Sequence, residues 1–196
     1  IIPPTALCKD YVIELNQQGE APIFPYMVDA GSFDNCNVIL SVSPNLFTCA
    51  DVGLNVVVLT VSDPAGNSSS CFATVKVEDN SSPTMACKNL TLYLNQNGDP
   101  IVIVPADIDN GSFDNCGIVS LTINKSVFDC STTGNNVVKL TAIDPSGNES
   151  ACYANVLVLD TLLPIWTFLP ADVTVYCVES AATEQPEATD NGDLVQ

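Results

Sequence analysis

Two basic residue types are missing from this chain, whose 196 residues include neither arginine nor histidine. Histidine is the usual general base of hydrolases and the commonest zinc ligand, so sites of the Ser-His-Asp, Cys-His and His-Glu-x-x-His kinds cannot be built. Arginine is the planar side chain that binds phosphate through two parallel hydrogen bonds. These absences exclude the commonest hydrolase sites and argue against nucleotide recognition.

Positive charge of any kind is scarce. Five lysines face 23 acidic residues, which gives a formal net charge of −18. Such a surface repels nucleic acid and anionic lipid, so neither is expected as a partner. It attracts cations, and calcium in particular prefers oxygen ligands. No apolar run reaches the ~18 residues that suggest a transmembrane helix, so this segment is not expected to insert into a membrane.

Cysteine, in contrast, is abundant, with nine residues in the chain. This number is typical of proteins in an oxidising compartment. A zinc site is disfavoured because the sequence has no Cys-x-x-Cys pair. The sequence therefore predicts an extracellular or cell-surface location.

The chain contains an internal repeat with a period of about 80 residues. GSFDNC occurs at 31–36 and 111–116, and LTVSDPAGNSSSC (59–71) aligns with LTAIDPSGNESAC (140–152). A repeat of this length predicts successive small domains. We expect residues 1–5 to be a linker from a preceding module, 6–82 and 83–163 to be two complete modules, and 164–196 to begin a third, incomplete one.

The pattern of each repeat predicts an all-β fold made of tandem immunoglobulin-like β-sandwich modules. Short runs of Val, Ile, Leu and Thr alternate with clusters of Asn, Asp, Gly and Pro, which is the signature of a sandwich. We expect the first strand of each module to run parallel to the last. The strands are expected at 8–15, 22–27, 37–43, 55–62 and 70–78, and then at 87–95, 100–105, 117–123, 136–143 and 150–159, with a short edge piece at 126–129.

This topology suggests how the cysteines pair, although four cysteines in each module allow three pairings. The starts of parallel first and last strands lie at one end of a sandwich, which favours Cys8–Cys71 and Cys87–Cys152. The remaining pairs would then be Cys36–Cys49 and Cys116–Cys130. Cys177 is left over, with a partner beyond residue 196, a free thiol or an inter-chain bond as the alternatives.

The order of these motifs resembles hyalin-repeat modules. A cysteine, an NxxG turn, DxGSFDNC, an FxC segment, LTxxDxxGNxSxC and a DxxxP linker follow one another in both repeats. The resemblance implies an immunoglobulin-like fold, a place in the tandem arrays of large secreted adhesins and appendage proteins, especially in Bacteroidetes, and no catalytic activity. The family usually has DNC where Asp190 and Asn191 are followed by Gly192.

The acidic loops have two interpretations. They can be ordinary turns, with Asp and Asn side chains capping them and Phe113 filling the core. They can also bind calcium where modules meet, because the GSFDNC loop and the last hairpin turn should lie at one end of a sandwich, facing the preceding linker. The expected ligands are Asp79, Asp114, Asp144 and Asn148, with Asp34, Asp63 and Asn67 at the junction before, and Asp160 with Asp190 and Asn191 at the junction after.

Taken together, these features predict a non-catalytic spacer, the stalk or shaft of an extracellular adhesin or filamentous surface appendage. Its partners would be neighbouring modules of the same chain, or identical chains in a fibre or bundle. A ligand-binding adhesive module for glycan or protein is the first alternative, and an accessory region of a carbohydrate-active enzyme is a remote one. Asp160-Thr161-Leu162 resembles the O-glycosylation acceptor of Bacteroidetes, so Thr161 is the expected glycosylation site.

Overall fold

The computed structural model describes residues 2–168, 187–190 and 193–195. The chain divides into two compact units. The first comprises Ile1–Met85 with two later stretches, Phe113–Ser120 and Ala142–Ser150. The second comprises Ala86–Ser112, Leu121–Thr141 and Ala151–Gln196. Two loops of the second repeat therefore belong to the first unit.

The first unit contains two sheets and one short helix. Its elements are β1 (Tyr11–Glu14), β2 (Glu20–Pro22), α1 (Pro25–Val28), β3 (Ile39–Ser43), β4 (Leu46–Thr48), β5 (Gly53–Ser62) and β6 (Ser68–Glu78). The larger sheet has the order β1-β6-β5-β3, and β2 pairs with β4 in the smaller one. The first strand runs parallel to the last, as the sequence predicts, while the other pairings are antiparallel.

The core of the first unit lies between these two sheets. Alternate residues of β5 and β6 point inwards, because successive side chains of a strand face opposite sides. They meet Ile23, Phe47 and Val28, which are 2% exposed or less. The inward residues of the larger sheet are Val57, Leu59, Val61, Ala73, Val75 and Val77. This arrangement is a small all-β sandwich.

The same order of elements recurs in the second repeat. The elements are β7 (Leu90–Tyr93), β8 (Ile101–Val102), α2 (Pro105–Ile108), β9 (Ser120–Ile123), β10 (Val127–Phe128), β11 (Gly134–Ile143) and β12 (Glu149–Leu159). Their sheets have the orders β7-β12-β11-β9 and β10-β8, and β7 runs parallel to β12. A final antiparallel sheet contains β13 (Ile165–Phe168), β14 (Glu187–Asp190) and β15 (Asp193–Val195).

The expected strands at 22–27 and 100–105 are mostly wrong, because the observed strands there are Glu20–Pro22 and Ile101–Val102. The chain turns into a four-residue helix at Pro25 and again at Pro105. Proline lacks the N–H that a strand ladder needs, and its fixed φ suits the first position of a helix. Such short helices give no hydrophobic periodicity that a sequence could reveal. Among the described residues, no helix is both long enough and apolar enough to cross a membrane.

Candidate metal centre

Three aspartates of the first unit form a compact acidic cluster. Asp79, Asp114 and Asp144 each place a carboxylate oxygen within 4.8 Å of the other two. Asp144 is 1% exposed and Asp79 5% exposed, while Asp114 is half-buried. The sequence places these residues far apart, so the cluster exists because the linker after β6 meets two loops of the second repeat.

Asp114 and Asp144 are each held by local turn chemistry. Asp114 accepts a hydrogen bond from the backbone N–H of Cys116 at 2.8 Å, which fixes the GSFDNC loop. Asp144 opens the turn before β12, where it accepts the N–H of Asn148 at 2.8 Å. Gly147 supplies the positive φ of 89° that this turn requires. These hydrogen bonds are the ones expected of ordinary turns. They use only one of the two carboxylate oxygens of Asp114.

The second carboxylate oxygen of Asp114 is not explained by the turns. Asp114 Oδ2 is buried and has no hydrogen-bond partner among the described residues, and the same holds for Asn115 Oδ1. A buried carboxylate oxygen without a partner is unfavourable, because it has lost its water without replacement. Asp114 is one of the three clustered aspartates, so two further carboxylates lie close to this side chain.

Hydrogen bonds tie the linker to both loops around the cluster. Asp79 accepts the side-chain N–H of Asn115 at 3.2 Å and the hydroxyl of Ser146 at 3.4 Å. Asn148 donates from Nδ2 to the main-chain oxygens of Asp79 (3.0 Å) and Ser81 (3.1 Å) and to Asp144 Oδ2 (2.8 Å). Neither Asn115 nor Ser146 is among the ligands expected from the sequence, and no local pattern distinguishes them.

Asn148, which the sequence analysis expects among the ligands, contacts the cluster through its side-chain nitrogen. With three acceptors around Nδ2, the amide is oriented as a donor. It therefore positions the linker and Asp144. The carboxamide places its nitrogen against the carboxylate of Asp144, so Asn148 is a positioning residue in this geometry.

The cluster fits a calcium ion on its donor set and its spacing. Calcium takes six to eight oxygen ligands at 2.3–2.6 Å, so two oxygens bound to one ion are at most about 5 Å apart. The 4.8 Å span of the three carboxylates lies within that limit. The orphaned Asp114 Oδ2 supplies an oxygen that makes no other bond. The lysine nearest in sequence to Asp79, Lys76, pairs with Glu78 at 2.7 Å instead.

The corresponding residues of the first repeat form the same turns. Asp34 accepts the N–H of Cys36 at 3.2 Å, and Asp63 accepts the N–H of Asn67 at 2.8 Å. The side chain of Asn67 also donates to Asp63, and these hydrogen bonds lower the pKa of Asp63 below its ordinary value of 3.8. Among the described residues, one group of three acidic side chains lies close enough to share an ion, and it is the cluster at 79, 114 and 144.

The expected site after the second repeat lies mostly outside the described side chains. Asp160 is exposed and accepts the N–H of Leu162 at 3.1 Å. Asp190 lies in β14, and its side chain is outside the described residues, as are Asn191 and Cys177. Thr161, the expected glycosylation site, is exposed.

The expected pairing of two disulfides is wrong. Cys8–Cys71 and Cys87–Cys152 are bonded as the sequence analysis expects, but Cys49 is bonded to Cys116 over 2.05 Å. The expected Cys36–Cys49 and Cys116–Cys130 bonds are therefore replaced by a link between the two repeats. Both cysteines of this link belong to the first unit, and 67 positions separate them in sequence.

The path of β3 explains this correction. β3, Ile39–Ser43, carries the chain about 14 Å along its own length, whereas a disulfide needs Cα atoms within about 7 Å. Thr48 then pairs with Glu20, which brings Cys49 beside the turn at 16–19. The loop that carries Cys116 lies against this turn, since Asn115 Nδ2 donates to the main-chain oxygen of Asn16 at 3.2 Å.

Phe113 is also not where a core-filling residue would be. Its ring is 64% exposed, and Phe33 at the equivalent position is 58% exposed. The main chain of Phe113 pairs with Thr84 in an isolated bridge, which turns the side chain outwards. It borders a cavity of about 560 Å³, whose other lining residues are Gln17, Gln18, Ser81, Ser82, Thr84, Asp114 and Asn115.

Comparison with known proteins gives distant structural likenesses. Human protocadherin-24 EC1-2 has 15% identity and a TM-score of 0.39, over 83% of this chain and 100% of that one. The immunoglobulin domains 1–5 of Sidekick-1 have 10% identity and a TM-score of 0.38, over 87% of this chain and 37% of that one. An endo-fucoidan hydrolase of glycoside hydrolase family 107 has 16% identity and a TM-score of 0.32, over 82% of this chain and 29% of that one.

These likenesses are too distant to indicate a function. No protein-family model matches the chain, and the search of curated proteins found no match. The resemblance to hyalin-repeat modules therefore remains a prediction that rests on the sequence motifs. The function of the chain is inferred from the geometry of the first unit.

Proposed function

We propose that this chain is a non-catalytic structural spacer of an extracellular protein, stiffened by disulfides and by calcium where its modules meet. The modules would be residues 6–82 and 83–163, with 1–5 as a linker from a preceding module and 164–196 as the start of a third, incomplete one. The observation that supports this proposal most is the buried carboxylate cluster, which joins the linker after β6 to two loops of the next repeat.

The cluster supports a calcium-dependent connection because of its charge. Three carboxylates within 4.8 Å of one another repel strongly when they are partly buried. Asp79, Asp114 and Asp144 would hold the ion, and calcium bound there would neutralise this repulsion. Asn148 and Asn115 keep the linker and the loop in place beside them. The connection would thus be firm when calcium is present and weakened when it is removed.

Disulfides support the extracellular part of the proposal. Three are formed among the described residues, and such bonds persist in oxidising compartments. A closure of 67 positions contributes about 4 kcal/mol in the loop-entropy description. The Cys49–Cys116 bond would restrict bending of the linker at 79–82, because it joins the repeats on either side of it.

Thermal unfolding of the full chain with calcium or with EDTA tests this proposal. A ligand that binds only the folded protein raises the melting temperature as its concentration rises. We expect the transition to move upwards across a calcium titration and to return when EDTA is added. The same titration with magnesium should have a weaker effect, because magnesium demands a smaller and more regular oxygen shell. A transition that is identical in calcium and EDTA would contradict the proposal.

The cavity beside Phe113 favours a second candidate, a module that binds glycan or protein. Its volume of about 560 Å³ lies within the range of ligand sites. An exposed aromatic ring with Gln17, Gln18 and Ser81 around it offers a stacking face and polar partners. Under this candidate, a glycan array probed with the full chain would give binding that the Phe113→Ala variant loses. Binding retained by Phe113→Ala, or lost equally in Phe33→Ala, would contradict it.

A further inference from the structure

The first repeat carries a second copy of the loop that is cross-linked in the second repeat. In both copies the aspartate of the loop accepts the N–H of the cysteine two positions later, at 3.2 Å for Cys36 and 2.8 Å for Cys116. Phe33 bridges to Thr5 as Phe113 bridges to Thr84. The two loops therefore have the same local structure, and Cys36 occupies the position of Cys116.

The surroundings of the two copies differ. Asn115 and Cys116 are half-buried, because they lie against the turn at 16–19 and against Cys49. Asn35 and Cys36 are exposed, and Cys36 has no disulfide partner among the described residues. The first repeat thus presents the same surface to solvent that the second repeat uses for a covalent contact.

The contacts made by the second copy define what this surface recognises. Asn148 binds the linker through the main-chain oxygens of Asp79 and Ser81, and Asn115 binds the main-chain oxygen of Asn16. Gly19 is required there, since a Cβ on it would lie 2.6 Å from Cys49 Sγ and 2.8 Å from the oxygen of Asn115. A fitting occupant therefore has an NxxG turn, a cysteine beside that turn, and a linker that leads directly into the accepting module.

We propose that residues 33–37 and 63–67 are an acceptor surface for a further module of this kind, joined on the N-terminal side, and that Cys36 forms an inter-module disulfide with the cysteine at the position of Cys49 in that module. This disulfide is distinct from the calcium-dependent connection of the spacer proposal, because it would form with or without calcium. Repeated along an array, it would connect each module covalently to the next.

Formation of this disulfide requires a two-electron oxidant. As the sulfur–sulfur bond forms, the two thiols give up two protons and two electrons. A low-molecular-weight disulfide such as oxidised glutathione accepts them and is reduced to two thiols. The reaction proceeds by attack of a thiolate on a disulfide sulfur, which the exposure of Cys36 permits.

The test extends the chain on its N-terminal side. A copy of residues 1–82 is joined to residues 4–196, which reproduces the Ser82–Pro83–Thr84 connection. Cys36 of the added copy is replaced by serine (Cys36→Ser), so that a single Cys36 remains. After oxidation with oxidised glutathione, unreduced peptide mapping should give a link between Cys36 and the Cys49 of the added copy. The Cys49–Cys116 link of the original chain should be present as well. Alkylation of Cys36, which is expected in the original chain, should be lost.

A matched control identifies which cysteine is the partner. Cys49→Ser in the added copy should abolish the Cys36–Cys49 link and restore alkylation of Cys36, while the Cys49–Cys116 link stays. A Cys36–Cys49 link that survives in the control would show pairing within one module and overturn the proposal. Equal alkylation of Cys36 in both extended chains, in samples that contain the Cys49–Cys116 link, would overturn it as well. The same links should form in the presence of EDTA. The disulfide can therefore be tested independently of the calcium proposal.

Discussion

The side chain of Asn148 donates a hydrogen bond to the main-chain oxygen of Asp79 over 3.0 Å, although 69 positions separate them in sequence. The same nitrogen reaches Ser81 and Asp144. One amide group thus connects the linker to the turn that opens β12. In the first repeat, Asn67 has the matching position and donates to Asp63.

Replacing this amide should weaken the connection to the linker. Asn148→Ala leaves the oxygens of Asp79 and Ser81 without their donor, which costs about 1–3 kcal/mol for buried groups. Asn67→Ala removes the equivalent turn contact to Asp63 and serves as the control. We expect Asn148→Ala to lower the free energy of unfolding by about 1–2 kcal/mol more than Asn67→Ala does, as measured by urea denaturation. Equal losses would contradict a role in holding the linker.

A side chain at Gly19 should lower the stability of the folded protein. Its φ is +72°, and a Cβ would approach Cys49 Sγ at 2.6 Å. Gly66 also has a positive φ, of +87°, with nothing within 4 Å of its Cβ position. Gly66→Ala thus measures the backbone penalty of about 1 kcal/mol alone. We expect Gly19→Ala to cost at least about twice as much in unfolding free energy, since packed atoms must shift. Similar losses for the two variants would contradict the close contact.

The Cys49–Cys116 bond should contribute strongly to stability. A double substitution to serine at these positions removes a closure of 67 positions, for which the loop-entropy description gives about 4 kcal/mol. Cys36→Ser is the matched control, because Cys36 is exposed and forms no bond within the described residues. We expect a large fall in melting temperature for the double variant and almost none for the control. A large fall for Cys36→Ser instead would support the pairing first expected from the sequence.

The hydrogen bonds of Asp63 predict how one contribution to stability depends on pH. The side chain of Asn67 lowers the pKa of Asp63 below 3.8 in the folded protein, whereas the unfolded value is about 3.9. The folded state therefore binds the proton less readily, and the stabilisation is present above about pH 4 and lost as the pH falls through the folded pKa. The difference in unfolding free energy between the native chain and Asn67→Ala should be larger at pH 6 than at about pH 2.5.

Asn55 provides the control for this pH dependence. Its side chain donates to the main-chain oxygens of Asp51 (2.6 Å) and Gly53 (3.3 Å), which do not titrate. The loss caused by Asn55→Ala should therefore stay constant between the two pH values. A loss for Asn67→Ala that is likewise constant would show that its bond to Asp63 does not favour the charged carboxylate.

Local patterns in the sequence predicted the parts of the structure that depend on neighbouring residues. The turn at Asp144 and Asn148 follows from its Pro and Gly positions, and the parallel first and last strands follow from the immunoglobulin-like fold class that the repeated apolar runs predict. The grouping of Asp79 with Asp114 and Asp144 was also expected. All three expectations need only the fold class and the placement of loops at one end of a sandwich.

The parts that sequence reasoning missed depend on contacts between the repeats. Nothing in the spacing of four cysteines distinguishes a bond within a repeat from the observed Cys49–Cys116 bond, because each pairing leaves an equally regular pattern. Asn115 is an ordinary loop residue until the turn at 16–19 lies beside it. The outward position of Phe113 is different in kind, because it arises within the second repeat, where its main chain bridges Thr84.

Calcium binding to the cluster is tested most directly by isothermal titration of the full chain and two variants. Asp114→Asn removes the buried oxygen that makes no other bond, whereas Asp34→Asn changes the equivalent residue of the first repeat, which lies outside the three-carboxylate group. The calcium-stiffened spacer predicts binding by the native chain, a loss of that binding in Asp114→Asn, and its retention in Asp34→Asn. Equal heats for all three proteins, or no heat for the native chain, would contradict it.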